Sequence, residues 1–288
     1  MRETSGSRFR QSLDAEQPLQ VVGVINAYCA RLAERAGFRA LYLSGAGVAN
    51  ASFGLPDLGM TSLTDVLEDA RRITAATDLP LLVDCDTGWG SPLTIARTVR
   101  EMTRAGVAAI HLEDQVDSKR CGHRPGKQLV STEVMVNRLK AAVDARIDDQ
   151  FVIMARTDAA AGEGLDAAIE RAARYVDAGA DLIFAEALTD AAQYRRFTQA
   201  LKVPVLANMT EFGRSPLLTV DELKDAGIRV VLYPLTAFRA MSAAAVRVYE
   251  TVRATGTQAG LLSSMQTREA LYDVLDYHSF EALLDREQ

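Results

Sequence analysis

Acidic residues follow two neighbouring apolar runs of this chain, at the point where each run ends. Asp84 and Asp86 follow one run and Glu113 follows the next. Because Asp84 and Asp86 are two positions apart on an extended segment, their side chains are predicted to point to the same side. Three converging carboxylates with no histidine or thiolate nearby favour Mg²⁺ or Mn²⁺ over zinc. The alternative is that one or two of them cap the helices that follow.

A basic loop with a thiol follows the acidic residues. The sequence KRCGHR at 119–124 places Cys121 among four potentially cationic neighbours. Positive neighbours stabilise a thiolate and a loop keeps the sulfur accessible, so Cys121 is a candidate to exchange a proton with a carbanion or to act as a nucleophile. The alternative is an inert surface cysteine beside a solvated basic run. Cys29 and Cys85 lack such neighbours and are predicted to be small core residues.

Polar residues also follow the other apolar runs. Because the carboxyl ends of parallel strands meet at one end of a barrel, these residues are predicted to share a site. With the residues beside them in the same segments, they are Ser44, Gly45 and Ala46 after the second run, Arg156 after the fifth, Glu186 after the sixth, and Asn208, Met209 and Thr210 after the seventh. The SGAG segment at 44–47 either offers backbone N–H groups to a carboxylate or phosphate, or is only a turn between a strand and a helix.

Eight short apolar runs recur with room for a helix between each pair, which is the pattern of parallel strands joined by crossovers. The predicted strands are Val21–Ala27, Ala40–Ser44, Leu81–Asp84, Ala109–Leu112, Phe151–Ala155, Leu182–Ala185, Val205–Ala207 and Val230–Leu232. Apolar residues at three- and four-residue spacing predict helices that include Leu63–Ala76, Pro92–Ala105, Thr132–Ala145 and Leu165–Ala178. Gly106 and Gly179 stand where C-terminal helix caps belong.

This alternation predicts the α/β class and a closed (β/α)₈ TIM-type barrel, which typically needs about 250 residues. An open doubly wound sheet usually has about five or six strands and a nucleotide loop, and the chain has no GxGxxG or Walker A motif. We expect one domain over residues 1–288, with the barrel at about 20–255 and a C-terminal helical extension at about 256–288. Helical patterns at Arg268–Asp276 and Phe280–Glu287 are expected to pack on a neighbouring subunit.

Composition and charge exclude several classes of protein. Hydrophobic residues make up 48% of the 288 residues and charged residues 24%, which excludes a disordered chain. The net charge of −6, with scattered basic residues, argues against a nucleic-acid or anionic-membrane surface. We found neither the apolar core of a signal peptide nor a run of about eighteen apolar residues. We therefore expect a cytoplasmic protein with reduced thiols.

Four segments together resemble a known enzyme family. KRCGH at 119–123 is similar to the signature of the isocitrate lyase branch of the isocitrate lyase and phosphoenolpyruvate mutase superfamily. The segments EDQVDSKRCGHRPGKQLVS, VDCDTGWG, ARTDA and NMTEFG are similar to the 2-methylisocitrate lyases over nearly the whole chain. Isocitrate lyases carry a substantial insertion that this chain lacks. The resemblance implies an Mg²⁺-dependent carbon–carbon lyase of the methylcitrate cycle of propionate catabolism, assembled as a homotetramer.

The resemblance also implies roles for individual residues. The metal-site carboxylates are Asp57, Asp84, Asp86 and Glu113, some of them acting through water. Cys121 is the catalytic acid, Tyr42 is a possible base, and His123 and Arg156 belong to the catalytic group. The substrate is expected to contact Ser44, Gly45, Ala46, Asp84, Gly122, His123, Arg156, Glu186, Asn208, Met209, Thr210, Arg239 and Arg268. Ala46 stands where many relatives have glycine, which weakens the backbone-cradle interpretation there.

The implied reaction cleaves 2-methylisocitrate between C2 and C3 to pyruvate and succinate. The electrons of the broken bond are held as an enediolate on the succinate half, so cationic groups are needed. Phe184, Leu232 and Pro234 are implied to surround the extra methyl group, although a core role is equally compatible with Phe184 and Leu232.

Other functions remain open at this point. They are isocitrate lyase, a phosphonate-forming mutase or an oxaloacetate decarboxylase, and the cysteine loop argues against the last two. A different class is a non-catalytic barrel that binds a dicarboxylate or serves as an interaction scaffold. A magnesium-dependent turnover assay separates that class from a lyase.

Overall fold

Eight parallel strands close into a barrel in the computed structural model of the protein, which describes residues 3–124 and 126–286. Each strand pairs with the next in the chain, and the last pairs with the first. The strands are β1 Leu19–Gly23, β2 Ala40–Leu43, β3 Leu81–Asp84, β4 Ala109–Glu113, β5 Val152–Thr157, β6 Leu182–Ala185, β7 Val205–Asn208 and β8 Val230–Tyr233. The predicted (β/α)₈ barrel is confirmed.

Helices follow the strands and surround the barrel. They are α1 Ser5–Ala15, α2 Ala27–Arg35, α3 Gly45–Gly47, α4 Leu63–Thr74, α5 Pro92–Arg104, α6 Thr132–Asp144, α7 Leu165–Asp177, α8 Ala191–Ala200, α9 Val220–Asp225, α10 Thr236–Thr255, α11 Arg268–Leu275 and α12 Tyr277–Arg286. Short helical turns of other types lie at Val48–Ser52, Ala159–Ala161 and Ala259–Ser264. None of the helices that the structure describes is long and apolar enough to span a membrane.

Alternation along each strand separates two apolar layers. In β2, Leu41 and Leu43 pack between the barrel and its helices, whereas Ala40 and Tyr42 belong to the layer inside the barrel. Successive side chains of a strand point to opposite faces, so a fully buried strand needs apolar residues at every position. This alternation places the Tyr42 side chain inside the barrel.

The N-terminal helix α1, which the sequence analysis did not predict, packs against the inner layer. Phe9 is fully buried, and Phe9 and Leu13 join the residues that begin several strands. The backbone of α1 approaches the loop before β5 closely, because a Cβ atom added at Gly6 would lie 2.4 Å from the Gln150 carbonyl oxygen. The helix therefore covers the end of the barrel that is opposite to the carboxyl ends of the strands.

Most predicted boundaries agree with the structure to within two residues, but the first strand was misplaced. It ends at Gly23 rather than at Ala27 because Asn26 caps α2, its side-chain oxygen accepting a hydrogen bond from the Cys29 N–H at 2.9 Å. The predicted glycine caps are confirmed, since Gly106 and Gly179 have φ angles of 81° and 101°.

The segment after β8 forms three helices with much exposed apolar surface. None of the 20 residues of α10 is buried. Within one chain, α11 packs on α2 through Val274, and the Tyr28 hydroxyl donates to Gln266 Oε1 at 2.7 Å. The predicted helix Phe280–Glu287 corresponds to α12, and Glu287 itself lies outside the described residues.

Candidate active site

A cavity of about 180 Å³ opens at the carboxyl ends of the strands. Most of the predicted site residues line it. They are Tyr42, Ser44, Ala46, Asp57, Asp84, Glu113, Cys121, Gly122, His123, Arg156, Phe184, Glu186, Asn208, Thr210, Leu232, Pro234 and Arg239. Asn50, Lys119, Arg120 and Leu235 line it as well. One end of the barrel thus brings together residues that are far apart in the sequence.

The carboxylates of Asp84 and Asp86 converge beside Gly45. The Gly45 N–H donates to Asp84 Oδ2 at 3.1 Å, and a Cβ atom added at Gly45 would lie 3.2 Å from an oxygen of each carboxylate. The expectation that both residues lie on one extended segment is wrong, because β3 ends at Asp84 and Asp86 has a φ of 48°. The turn at Asp86, rather than strand alternation, brings the two side chains to the same side.

Lys119 is paired with the acidic residues and not with the thiol. Its Nζ lies 2.7 Å from Asp86 Oδ1 and also contacts the Asp57 carboxylate, and its side chain is only 5% exposed. Burial and the negative charge of Asp84 raise the pKa of Asp86 to about 6, although Lys119 opposes this rise. Burial also raises the pKa of Glu113 well above its ordinary value. The raised pKa values mean that Lys119 and Arg156 do not fully stabilise the ionised form of this acidic group, so a further cation would favour its ionisation.

These residues fit a hard divalent cation. Glu113 Oε1 is buried and has no hydrogen-bond partner within the described part of the chain, and the buried Asp86 Oδ1 has Lys119 as its contact. Carboxylate oxygens are the ligands that Mg²⁺ prefers, and Mg²⁺ usually keeps several waters. Within residues 3–124 and 126–286, no three His, Cys, Asp or Glu side chains form a ready-made metal cage. A cation here would accordingly be held partly through water.

The expectation that no histidine lies near the carboxylates is wrong. His111, on β4, lies with its Nε2 3.6 Å from Asp84 Oδ1 and 2.9 Å from the Tyr42 hydroxyl. Burial lowers the pKa of His111 to about 4, so the imidazole is neutral at neutral pH. Burial alone would raise the pKa of Asp84, but it is lowered to about 2. With a neutral imidazole, this lowering rests on the charges of Lys119 and Arg156 and on the Asp86 N–H, which donates to Asp84 Oδ1 at 3.1 Å.

The Tyr42 hydroxyl is buried between His111 and Asp84. It lies 3.4 Å from Asp84 Oδ2, and burial with the charge of Asp84 raises its pKa well above 10.0. Tyr42 is therefore protonated and serves as a hydrogen-bond donor in this arrangement. Its expected role as a base has no support in this protonation state.

Arg156 is held by carboxylates on three sides. Its Nε and Nη2 donate to the two oxygens of Asp158 at 2.9 and 3.2 Å. Glu113 Oε2 lies 3.4 Å from Nε, and Glu186 Oε2 lies 3.6 Å from Nη2. The guanidinium also lies 5.0 Å from the centre of the Phe184 ring. These carboxylates keep the pKa of Arg156 well above its ordinary value despite burial. Arg156 is thus a fixed cation at the wall of the cavity.

The Cys121 thiol is accessible at the mouth of the cavity, but the expectation that its neighbours stabilise a thiolate is wrong. Dense packing and the charges of Asp57 and Glu186 raise its pKa above 9.0, although Arg156 opposes this. Two of the expected cationic neighbours serve other groups, because Lys119 binds Asp57 and Asp86, and His123 Nε2 lies 2.7 Å from Glu186 Oε1. A protonated thiol suits a proton donor better than a nucleophile.

Some predicted residues lie elsewhere. Met209 packs in the core between the barrel and its helices, and Arg268 is exposed at the start of α11. Gly45 contributes to the site through its hydrogen bond to Asp84. Cys29 and Cys85 are buried core residues, as predicted.

Sequence reasoning assigned no role to His111 or Asp158. Asp158 follows Arg156 in the quoted ARTDA segment, which was a usable signal. His111 had no local signal apart from its place inside a strand.

The comparisons with known proteins agree with one another. The phosphoenolpyruvate phosphomutase family model matches residues 9–253. The 2-methylisocitrate lyase of Shewanella oneidensis is 62% identical over 286 residues, which cover 99% of this chain and 98% of that protein. A crystal structure of 2,3-dimethylmalate lyase, a member of the phosphoenolpyruvate mutase/isocitrate lyase superfamily, has a TM-score of 0.90. Its sequence is 36% identical, and the match covers 97% of this chain and 94% of that one. A structure of phosphonopyruvate hydrolase in complex with oxalate and Mg²⁺ is 28% identical with a TM-score of 0.86, covering 98% and 99%.

Proposed function

Since the chain belongs to the 2-methylisocitrate lyase branch of the phosphoenolpyruvate phosphomutase family, we propose that it is a carbon–carbon lyase that cleaves 2-methylisocitrate to pyruvate and succinate. One observation of the site carries the proposal. A single cavity holds a protonated thiol at Cys121, a fixed cation at Arg156 and the carboxylates of Asp57, Asp84 and Glu113. These are a proton donor, an anion-binding group and a candidate cation site, which are the three parts that the cleavage needs.

The proposed cofactor is Mg²⁺, with Mn²⁺ as a substitute. Asp57, Asp84, Asp86 and Glu113 would hold it, some of them through water, and the buried Glu113 Oε1, which has no hydrogen-bond partner within the described residues, supports this set. The Mg²⁺ in the related phosphonopyruvate hydrolase structure supports the same metal. When bound, the cation would bind the α-hydroxycarboxylate of the substrate and stabilise the negative charge on it. Lys119 would then have to share or release its carboxylate partners.

The proposed roles of the other residues follow from their contacts. A base removes the proton of the C2 hydroxyl, C2 becomes the carbonyl carbon of pyruvate, and the C2–C3 bond breaks with its electron pair left on C3. The Cys121 S–H then gives its proton to C3, which completes succinate, and solvent returns a proton to the thiolate. Arg156, oriented by Asp158, offsets the charge on the succinate half.

The remaining polar side chains of the cavity would bind and orient the substrate. They are Ser44, His123, Glu186, Asn208, Thr210 and Arg239, together with the backbone at Ala46 and Gly122. Phe184, Leu232 and Pro234 form an apolar part of the wall, which suits the substrate methyl group. Phe184 and Leu232 also belong to the inner barrel layer, so the pocket and the core share them.

We also propose a homotetramer in the cytoplasm. The apolar surface on α10 and α12 supports the assembly, and the free Cys29, Cys85 and Cys121 thiols suit a reducing compartment. In this proposal the barrel at about 20–255 is the catalytic unit, and the residues after 255 extend it toward a neighbouring subunit. Arg268 lies outside the cavity of its own chain, so its expected substrate contact has no support within one subunit.

Parallel turnover of two substrates tests the function. The purified protein is incubated with Mg²⁺ and either 2-methylisocitrate or isocitrate, and pyruvate and glyoxylate are measured. We expect pyruvate and succinate from 2-methylisocitrate at a kcat/KM at least about tenfold above that for isocitrate, since an unfilled methyl pocket loses about 1–3 kcal/mol. Equal or faster formation of glyoxylate would show that the protein is an isocitrate lyase. No turnover of either substrate would reject the lyase proposal.

A further inference from the structure

Lys127 lies in the segment that follows the basic loop, and the proposed reaction has given it no role. Its Nζ donates to the Gly122 carbonyl oxygen at 2.6 Å and to Asp158 Oδ1 at 2.8 Å. The side chains of Lys127 and Asp158 are only 7% and 0% exposed. A buried ammonium group is costly unless it is paired and hydrogen-bonded, and both conditions are met here. This contact therefore differs from an ordinary pair of solvated surface charges.

Asp158 is the end of the contact that hydrogen bonds fix to the barrel. Its backbone N–H donates to Asp114 Oδ1 at 2.9 Å, and the buried Asp114 also accepts hydrogen bonds from the hydroxyls of Thr157 and Tyr175 at 2.7 and 2.9 Å. Asp158 uses both of its oxygens to hold Arg156. One carboxylate thus binds Lys127 and Arg156 at the same time.

Gly122 is the other end, and it follows Cys121 directly. The Gly122 backbone lies against Arg156 so closely that an added Cβ atom would be 2.3 Å from Nη2. The loop has a second connection to Arg156, because His123 pairs with Glu186 and Glu186 pairs with Arg156. The connection through Lys127 binds the backbone directly after the thiol, whereas the Gln115 side chain binds the Arg120 backbone directly before it and does not reach Arg156.

We propose that Lys127 is a positioning residue, which ties the Gly122 peptide to Asp158 so that the Cys121 thiol and the Arg156 guanidinium keep one relative geometry. The role rests on the proposed lyase function. The described residues that line the catalytic cavity do not include Lys127, so it acts through Gly122 and Asp158 and not by touching the substrate. Fixed placement of reacting groups matters because a displacement of about 1 Å can cost about 10²-fold in rate.

Three variants test the proposal. Lys127→Met removes the ammonium group at similar size, Lys127→Arg keeps a positive charge, and Lys140→Met is the matched control on the exposed face of α6. For Lys127→Met we expect kcat to fall about 10- to 100-fold with KM within about threefold, because Asp158 still holds Arg156. Lys127→Arg should lose much less, and Lys140→Met should match the wild type.

A second measurement needs neither substrate nor turnover. The rate at which iodoacetamide alkylates Cys121, followed by peptide mass spectrometry, reports on the loop itself. We expect this rate to rise at least about threefold in Lys127→Met, because a released loop exposes the thiol more often. If the methionine variant does not fold, Lys127→Gln replaces it with the same expectations.

Two results would overturn the positioning role. One is wild-type kcat together with a wild-type alkylation rate in folded Lys127→Met, whatever its melting temperature. The other is a loss in Lys127→Arg as large as that in Lys127→Met. If the wild type cleaves no 2-methylisocitrate, the lyase proposal fails on its own, and the alkylation comparison still decides whether Lys127 holds the loop.

Discussion

Charge pairing around Cys121 shows how individual residues set the chemistry of this site. Lys119 and His123 flank the thiol in the sequence, yet each is bound to carboxylates in the structure. The protein packed around the thiol raises its pKa, with a smaller contribution from the charges of Asp57 and Glu186, and the His123 N–H and Arg156 oppose this rise. A thiol that stays protonated at neutral pH can deliver a proton to a carbanion.

Replacing Cys121 by serine tests the proton-donor role. Serine keeps the size but is a far weaker acid, so kcat should fall by about 10²–10⁴-fold while KM changes little. Steady-state kinetics on 2-methylisocitrate measure both constants, and Cys29→Ser, outside the cavity, is the control. A Cys121→Ser variant with near wild-type kcat would leave the loop without a proton donor.

The pH dependence of alkylation tests the raised pKa. The thiolate is the reactive species, and a raised pKa keeps the thiol protonated up to and beyond its ordinary value of 9.0. The rate of Cys121 alkylation by iodoacetamide should therefore keep rising through pH 9, by about tenfold per pH unit below the pKa. A rate that reaches a plateau below pH 8 would mean that the cationic neighbours do stabilise the thiolate.

At the scale of elements, loops that follow the strands bring backbone and side chains into direct contact. Gly45 allows the turn after β2 to lie against Asp84 and Asp86, and Gly122 allows the Cys121 loop to lie against Arg156 and Glu186. The absence of a Cβ atom is thus a requirement of the site at Gly122, whereas at Gly45 an added Cβ atom would crowd the two carboxylates.

Gly122→Ala tests the close approach of the loop. The new Cβ atom would lie 2.3 Å from Arg156 Nη2 and 2.6 Å from Glu186 Cγ, so the loop or both side chains must move. We expect kcat/KM to fall by about 10²-fold, because the proton donor and the cation lose their alignment. Gly162→Ala is the matched control, since nothing lies within 4 Å of its added Cβ atom. Equal kinetics of the two variants would contradict the close approach.

At the scale of the whole molecule, the barrel concentrates buried carboxylates at one end while the C-terminal helices leave apolar surface exposed. The exposed side chains include Tyr249 on α10 and Phe280 and Leu284 on α12. The proposed cation would bind at the first of these features, and the proposed assembly would cover the second.

Removal of divalent metal tests the first of these. EDTA should abolish turnover and Mg²⁺ should restore it. Mg²⁺ binds only the folded state, so it should raise the melting temperature, with a stabilisation of about 2.7 kcal/mol when Mg²⁺ is at 100 times its Kd. Asp86→Asn should lose most of this thermal shift. Full activity in rigorously metal-free buffer would reject the cation site.

Light scattering tests the assembly. We expect a particle of four chains, each of 31.2 kDa, at micromolar protein concentration. Deletion of residues 268–288 should lower the mass and the turnover, because α11 and α12 would be lost. A monomer mass for the full chain would reject the tetramer, and a deletion variant with unchanged assembly and turnover would reject the proposed role of these helices.

Local sequence was sufficient for the order of the strands and helices and for the types of residue in the site. Apolar runs and glycine caps depend on residues that are close together in the sequence. β3 and β6 therefore have the predicted bounds, whereas β1 is shorter than predicted because Asn26 caps α2. The thiol, the arginine and the acidic residues were recognisable because their chemistry belongs to single side chains. The thiol lies in KRCGH, the arginine in ARTDA, and Asp84 and Asp86 in VDCDTGWG.

Only the tertiary structure decided which charges neutralise one another. Lys119 and Asp57 are 62 residues apart and Tyr42 and His111 are 69 apart, so no local pattern reports that they meet. Barrel closure sets these distances, and burial then shifts the pKa of each group according to the partner it meets. For that reason the residues around Cys121 were predictable from the sequence, but the protonation state of its thiol depended on the fold.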